Sequence, residues 1–212
     1  MKVVAFNGSP RKDGNTGFAL NTVGEELKKA GIEFTVIHVG NKTIRGCAAC
    51  GGCVTNQNER CVIANDEVND WIQKMKEADG ILLGAPVHYA GIPGTMKSFL
   101  DRAFFAATVN GPMMRNKVGA AVVAVRRSGG VVTFDSLNHY LMYAEMIMPT
   151  SNYWNVTHGL QPGEAIKDEE GNQIMRVLGK NMAWLLKVLA AGKDHVEPVL
   201  PEAKIMTNFV RE

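Results

Sequence analysis

Two stretches of this 212-residue chain carry residue types that could do chemistry. The first is Asn7-Gly8-Ser9-Pro10-Arg11-Lys12-Asp13-Gly14-Asn15-Thr16. A polar, glycine-bearing loop that opens a helix makes an anion site. The N–H groups of the first helical turn are unpaired, and the helix dipole favours negative charge there. Ser9 and Thr16 offer hydroxyls, Asn15 an amide, and Arg11 a planar cation suited to phosphate. The second stretch is Cys47-x2-Cys50-x2-Cys53-x7-Cys61, with Ala48, Ala49, Gly51 and Gly52 spacing the first three thiols. Small residues let the backbone close around a compact inorganic core, and iron–sulfur clusters take four thiolates. Zinc also accepts four thiolates, although structural zinc sites usually pair two separated Cys-x2-Cys hooks. Reduced thiols, or a disulfide formed on handling, are the third reading of the same residues.

Other chemistries are not indicated. The Gly8 to Gly14 spacing is one residue too long for a nucleoside triphosphate loop, and Asn15 stands where its lysine belongs. No Gly-x-Gly-x-x-Gly dinucleotide fingerprint follows the first strand. The five histidines are scattered without an i, i+4 metal pair; His38 falls on a strand face, and His139, His158 and His195 read as surface residues. Asp101-Arg102 reads as a structural pair on a helix. The formal net charge of +2 gives no reason to expect nucleic acid or an anionic membrane as partner. No apolar run reaches transmembrane length, and the N-terminus lacks a secretory signal pattern. A cytoplasmic protein is the expectation, and in that compartment clustered cysteines favour metal or redox roles.

The elements that must position these residues alternate in type. Lys2 to Phe6, Phe34 to Val39, Ile81 to Ala85 and Val118 to Val125 are short apolar or β-branched runs that read as strands. Glu145 to Pro149 reads as a fifth. Helical patterns lie between them, with Phe18, Val23, Leu27 and Ala30 sharing one face of the first. Val68, Trp71, Ile72 and Met75 mark the next, and Met96, Phe99, Leu100 and Ala103 the third. Thr133 to Tyr143 and Gln173 to Ala191 supply two more. Asn155 to Asn172 is a polar loop of unusual length, which an arm lying across a neighbouring copy would explain. Alternation of this kind predicts a parallel sheet covered by helices on both faces, with ligands beyond the carboxyl ends of its strands. The loops after the first, third and fourth strands share that edge.

Several of these motifs together resemble a family. Gly8-Ser9-Pro10-Arg11, Gly14-Asn15-Thr16, Pro86-Val87-His88-Tyr89, Met96-Lys97-Ser98-Phe99-Leu100-Asp101-Arg102 and Arg126-Arg127-Ser128-Gly129-Gly130 resemble the flavodoxin-like NAD(P)H-dependent FMN reductases. The cysteine motif resembles that of their iron–sulfur flavoprotein branch. The resemblance implies a doubly wound five-stranded parallel sheet of order 2-1-3-4-5 over residues 1–192, with 193–212 as a tail that could serve as an oligomerisation arm. It implies that Ser9, Arg11, Gly14, Asn15 and Thr16 hold the FMN phosphate. Pro86, Val87, His88 and Tyr89 would line the isoalloxazine, with backbone N–H groups reaching its polar edge, and Arg127, Ser128, Gly129 and Gly130 would border it. Cys47, Cys50, Cys53 and Cys61 would be the ligands of a [4Fe–4S] cluster.

The function so implied is an oxidoreductase in which NAD(P)H, a transient donor, reduces bound FMN for delivery to a flavin, a quinone or another small acceptor. The alternative is a relay of electrons between protein partners through FMN and the cluster. A homodimer or homotetramer is expected. No protein acid–base pair is demanded, because the flavin carries the chemistry.

Overall fold

Val3 and Ala5 pack on one side of a sheet while Val4 and Phe6 pack on the other, and both sides are buried. A strand that is apolar on both faces needs cover from two layers, and the helices supply them. The computed structural model describes residues 1–207 and 210. Its strands are β1 (Lys2–Asn7), β2 (Glu33–His38), β3 (Gly80–Pro86), β4 (Val118–Val125) and β5 (Val156–His158). They form one all-parallel sheet in the order β2-β1-β3-β4-β5. Helices α1 (Asn15–Lys29) and α6 (Glu169–Gly192) cover one face. The other face carries α3 (Val68–Glu77), α4 (Gly94–Val109) and α5 (Gly130–Tyr143), while the short α2 (Gly52–Asn56) lies in the cysteine segment. The core of that second face centres on Phe6, Trp71 and Phe99, whose rings meet at centroid distances of 4.7 to 6.5 Å.

The fifth strand is not where the residue pattern puts it. Ile147 makes only an isolated parallel bridge to Val118, and the strand beside β4 is Val156–His158. Two features stop the earlier run. Glu145 turns the chain at φ 55°, and Pro149 has no N–H to give a ladder. The long polar loop is explained inside the chain as well. It contains β5 and a 3-10 turn, Glu164–Lys167, and it folds back over the start of α1.

Asp168 caps α6 and fastens this loop. Its carboxylate accepts from the Gly171 N–H at 2.9 Å, the His158 N–H at 2.6 Å and the Thr157 hydroxyl at 3.1 Å. Burial works to raise its pKa, but these hydrogen bonds outweigh burial and hold it below the ordinary 3.8. Asp168→Ala should therefore cost about 1–2 kcal/mol of stability at neutral pH, the usual loss for an N-cap. A depressed carboxylate stabilises fully above its unfolded value and loses that contribution as pH falls through its folded value. The gap between wild type and variant in urea titrations should close below pH 3.8; a gap that stays constant into acid would contradict the assignment.

Candidate functional site

The loop after β1 is held by its own side chains. Asn7, at the end of β1, is buried; its Oδ1 accepts from the Ser9 N–H at 3.0 Å and its Nδ2 donates to the Lys12 carbonyl at 3.0 Å. The Ser9 hydroxyl accepts from the Arg11 N–H at 3.1 Å. His38, at the end of β2, places Nε2 2.7 Å from the Ser9 carbonyl oxygen. Short polar side chains that bond to nearby backbone make rigid turns, and this loop uses two in succession. Gly40 lies against it so closely that a Cβ there would overlap the carbonyl oxygens of Ser9 and Gly8.

Above this loop lies a cleft of about 270 Å³ lined by Ser9, Arg11, Gly14, Asn15 and Thr16 from β1–α1, by Pro86, Val87 and His88 after β3, and by Arg126 after β4. Gly159, Leu160 and Pro162 close its far side. The Thr16 hydroxyl is buried and has no hydrogen-bond partner among the described residues. An unpaired buried hydroxyl in the first turn of a helix, beside an exposed arginine, fits an anionic oxygen that would satisfy it.

The expected site residues do not all converge. The Asn15 side chain is turned away from the cleft into the long loop, where Oδ1 accepts from the N–H groups of Gly163 and Ala165 and Nδ2 donates to the Gln161 carbonyl. The Val87 N–H donates to Ala124 and the His88 N–H to Gly91, so those two groups are already satisfied. Tyr89 is fully exposed at φ 56° and does not line the cleft. Arg127, Ser128, Gly129 and Gly130 line a neighbouring cleft of about 380 Å³ with Tyr153 and Trp154. Adjacent residues at a strand end face opposite ways, so Arg126, not Arg127, reaches the anion cleft. Sequence reasoning missed Arg126, Asn7, His38 and Gly40 as site residues. Only Asn7 announces itself, as a turn-forming residue directly before a glycine.

The four cysteines are brought together. Cys47, Cys50, Cys53 and Cys61 line one cavity of about 20 Å³ with Val62, Ile63, Arg102 and Phe105. Among the described residues no three His, Cys, Asp or Glu stand at the spacing that holds a single metal ion. Cys47 and Cys50 are exposed, Cys61 is half-buried, and Cys53 is buried, which pushes its thiol pKa up. The donor set is all thiol, and the backbone between the first three is built of alanine and glycine. In chemistry this set matches a four-thiolate cluster site.

Arg102 forms the cavity floor. Its side chain is fully buried and pairs with Asp66 through two bonds, at 2.5 and 3.0 Å. It also donates to the Ile63 carbonyl at 2.7 Å, the Arg45 carbonyl at 3.2 Å and the Cys61 sulfur at 3.4 Å. Burial would lower its pKa, but the bonds to Asp66 and Cys61 prevail and raise it. Asp101 and Arg102 are therefore not a pair. Asp101 binds Lys97 and Tyr140 on the outer face of α4, while Arg102 points into the protein.

A doubly wound sheet of order 2-1-3-4-5 with an anion cradle after β1 defines the flavodoxin-like class, here an FMN-binding oxidoreductase. The model of the NADPH-dependent FMN reductase family matches residues 1–161, and the chain belongs to that family, in its iron–sulfur flavoprotein branch. It is 36% identical over 200 residues to an iron–sulfur flavoprotein of Methanocaldococcus jannaschii, covering 89% of this chain and 99% of the relative. It is 30% identical over 198 residues to an iron–sulfur flavoprotein of Methanosarcina thermophila, covering 92% of this chain and 100% of that one. Its fold superimposes on that of RosB with a TM-score of 0.63 at 15% identity, over 100% of this chain and 94% of the other; that structure contains 8-demethyl-8-formylriboflavin-5'-phosphate. Among the described residues no helix is long and apolar enough to cross a membrane.

Proposed function

We propose that this chain carries both FMN and a [4Fe–4S] cluster, takes electrons from NAD(P)H, and delivers them to a small acceptor or a redox-protein partner. The observation that carries the iron–sulfur half is the gathering of Cys47, Cys50, Cys53 and Cys61 around one cavity floored by Arg102. A plain flavin reductase has no use for that set. Bound FMN supplies two-electron exchange with a nicotinamide and one-electron exchange with a cluster. The chain's own residues do the holding. Ser9, Arg11, Thr16 and the α1 N-terminus receive the phosphate, and Arg126 adds a second cation to the same cleft. Arg102 places a positive charge against the sulfur of Cys61, where it would offset the negative charge that four cluster-bound thiolates would concentrate there.

The family match over residues 1–161 favours a second reading, in which FMN alone serves NAD(P)H and a free flavin or quinone. Anaerobic mixing of the FMN-loaded chain with NADPH or NADH separates the two. Both readings expect the visible flavin band to bleach. Only the second expects rapid steady turnover when excess free FMN is the sole acceptor. A flavin band that neither nucleotide bleaches would remove NAD(P)H as the donor.

Self-association is part of the proposal. Val196, Val199 and Leu200 in the tail are 70 to 81% exposed, an apolar surface that a second copy would cover. Sedimentation as a monomer at micromolar concentration would overturn it.

A further inference from the structure

A guanidinium has five N–H groups, and Arg102 uses every one of its own. The two on Nη1 go to the Asp66 carboxylate at 2.5 Å and the Arg45 carbonyl at 3.2 Å. The two on Nη2 go to Asp66 at 3.0 Å and the Ile63 carbonyl at 2.7 Å. The fifth, on Nε, donates to the Cys61 sulfur at 3.4 Å. Four bonds to oxygen fix the plane of the fork, and that plane aims Nε–H at sulfur. The acceptor is fixed as well. Asn69 is buried; its Oδ1 accepts from the Cys61 N–H at 2.8 Å and its Nδ2 donates to the Cys61 carbonyl at 2.9 Å.

The arrangement singles out one thiol and has a direction. Cys47 and Cys50 are exposed, whereas the Cys61 sulfur meets a fully buried cation. Asp66 sits on the Nη1 and Nη2 end of the fork, behind the cation as seen from sulfur. The nearer charge dominates, so Asp66 weakens the positive field at Cys61 without cancelling it. Packing, or a counter-charge for Asp66, would not require the fifth N–H to point at sulfur.

We infer that Arg102, through Nε–H on the Cys61 ligand, raises the reduction potential of the cluster that the four cysteines hold. The inference rests on the iron–sulfur reading above. Reduction of a [4Fe–4S] cluster takes up one electron, supplied by FMN in that reading, and no bond forms or breaks. The added negative charge is favoured by N–H donors to sulfur and by nearby positive charge, two of the levers that set such potentials.

The experiment uses FMN-loaded, anaerobically purified wild type, Arg102→Lys, Asp66→Asn and the uncharged double variant Arg102→Met/Asp66→Asn. Each is assayed for iron and sulfide, then titrated with dithionite in the presence of mediators while electron paramagnetic resonance follows the reduced cluster. Lysine keeps a cation for Asp66 but has no planar fork to aim a donor at sulfur. Reduction of Arg102→Lys should be about tenfold less favourable, a midpoint lower by about 59 mV for one electron. The double variant should move the same way. Asp66→Asn should move the midpoint upward, because it removes the opposing charge and leaves the cation. A structural role alone does not predict opposite signs, since both single variants loosen the same pair. A loaded cluster with an unshifted midpoint in the two Arg102 variants, or a midpoint that falls in Asp66→Asn, would overturn the inference. Loss of the cluster from both Arg102 variants would also overturn it, because Arg102 would then retain the cluster rather than set its potential. Wild type without iron would overturn the cluster reading and this inference together, a failure that the iron assay separates from the others.

Discussion

Asp66→Ala should destabilise the folded protein by about 3–5 kcal/mol, the cost of stranding a buried charge. Arg102 is fully buried, and its remaining partners are two carbonyl oxygens and the Cys61 sulfur, with no second carboxylate among them. For a protein of this size that loss lowers the melting temperature by roughly 6–20 °C. Asp66→Asn keeps an acceptor for one of the two bonds and should fall between wild type and alanine. The same substitution should loosen the cysteine segment, because Arg102 ties Arg45, Cys61 and Ile63 to α4. Thermal unfolding and thiol accessibility measure the two effects. A melting temperature within 2 °C of wild type would contradict the assigned role of the pair, since that corresponds to less than about 1 kcal/mol.

Gly40→Ala should weaken FMN binding by about 10- to 100-fold and lower the melting temperature by about 2–12 °C. A methyl group there meets backbone on the other side, the carbonyls of Ser9 and Gly8, and a backbone contact cannot be relieved by a side-chain rotation. Overpacking of this kind costs about 1–3 kcal/mol, and it falls on the loop whose shape makes the cradle. Arg11→Ala should weaken FMN by a similar amount for a different reason, the loss of a charge-assisted contact worth about 1.5–3 kcal/mol. The two are separable by salt: the Arg11 deficit shrinks as ionic strength rises, and the Gly40 deficit does not. Calorimetric titration of the FMN-free chain reads both. Wild-type affinity in Gly40→Ala would show that the loop tolerates displacement.

Much of this architecture is legible in the residues because buried parallel strands are short apolar runs. Ile81 to Ala85 and Val118 to Val125 could hardly be anything else once helical patterns flank them. The last strand was not legible. Val156–His158 is three residues long and follows a polar run, while the more β-like stretch before it is ended by Pro149. Its placement is set by the open edge of β4, a tertiary fact. The phosphate loop was visible as donors before a helix, yet its scaffold was not. His38 braces it from 29 positions away and Gly40 does so through backbone contact. Asp101 and Arg102 illustrate the same limit. Neighbours in a helix do not face each other, so adjacency in sequence sent one outward to Lys97 and Tyr140 and the other inward to Asp66. The long polar loop looked like an arm for a neighbour and proved to be a clamp on Asn15.

The central claim is that the cysteine quartet and the anion cleft load two different redox groups onto one chain. Iron, acid-labile sulfide and FMN should be counted together on protein purified without oxygen, for wild type and for Cys50→Ser. About four iron, four sulfide and one FMN per wild-type chain, with iron and sulfide lost and FMN kept in the variant, is the predicted result. One FMN and no iron in wild type under those conditions would contradict it and leave a flavin reductase with four idle thiols.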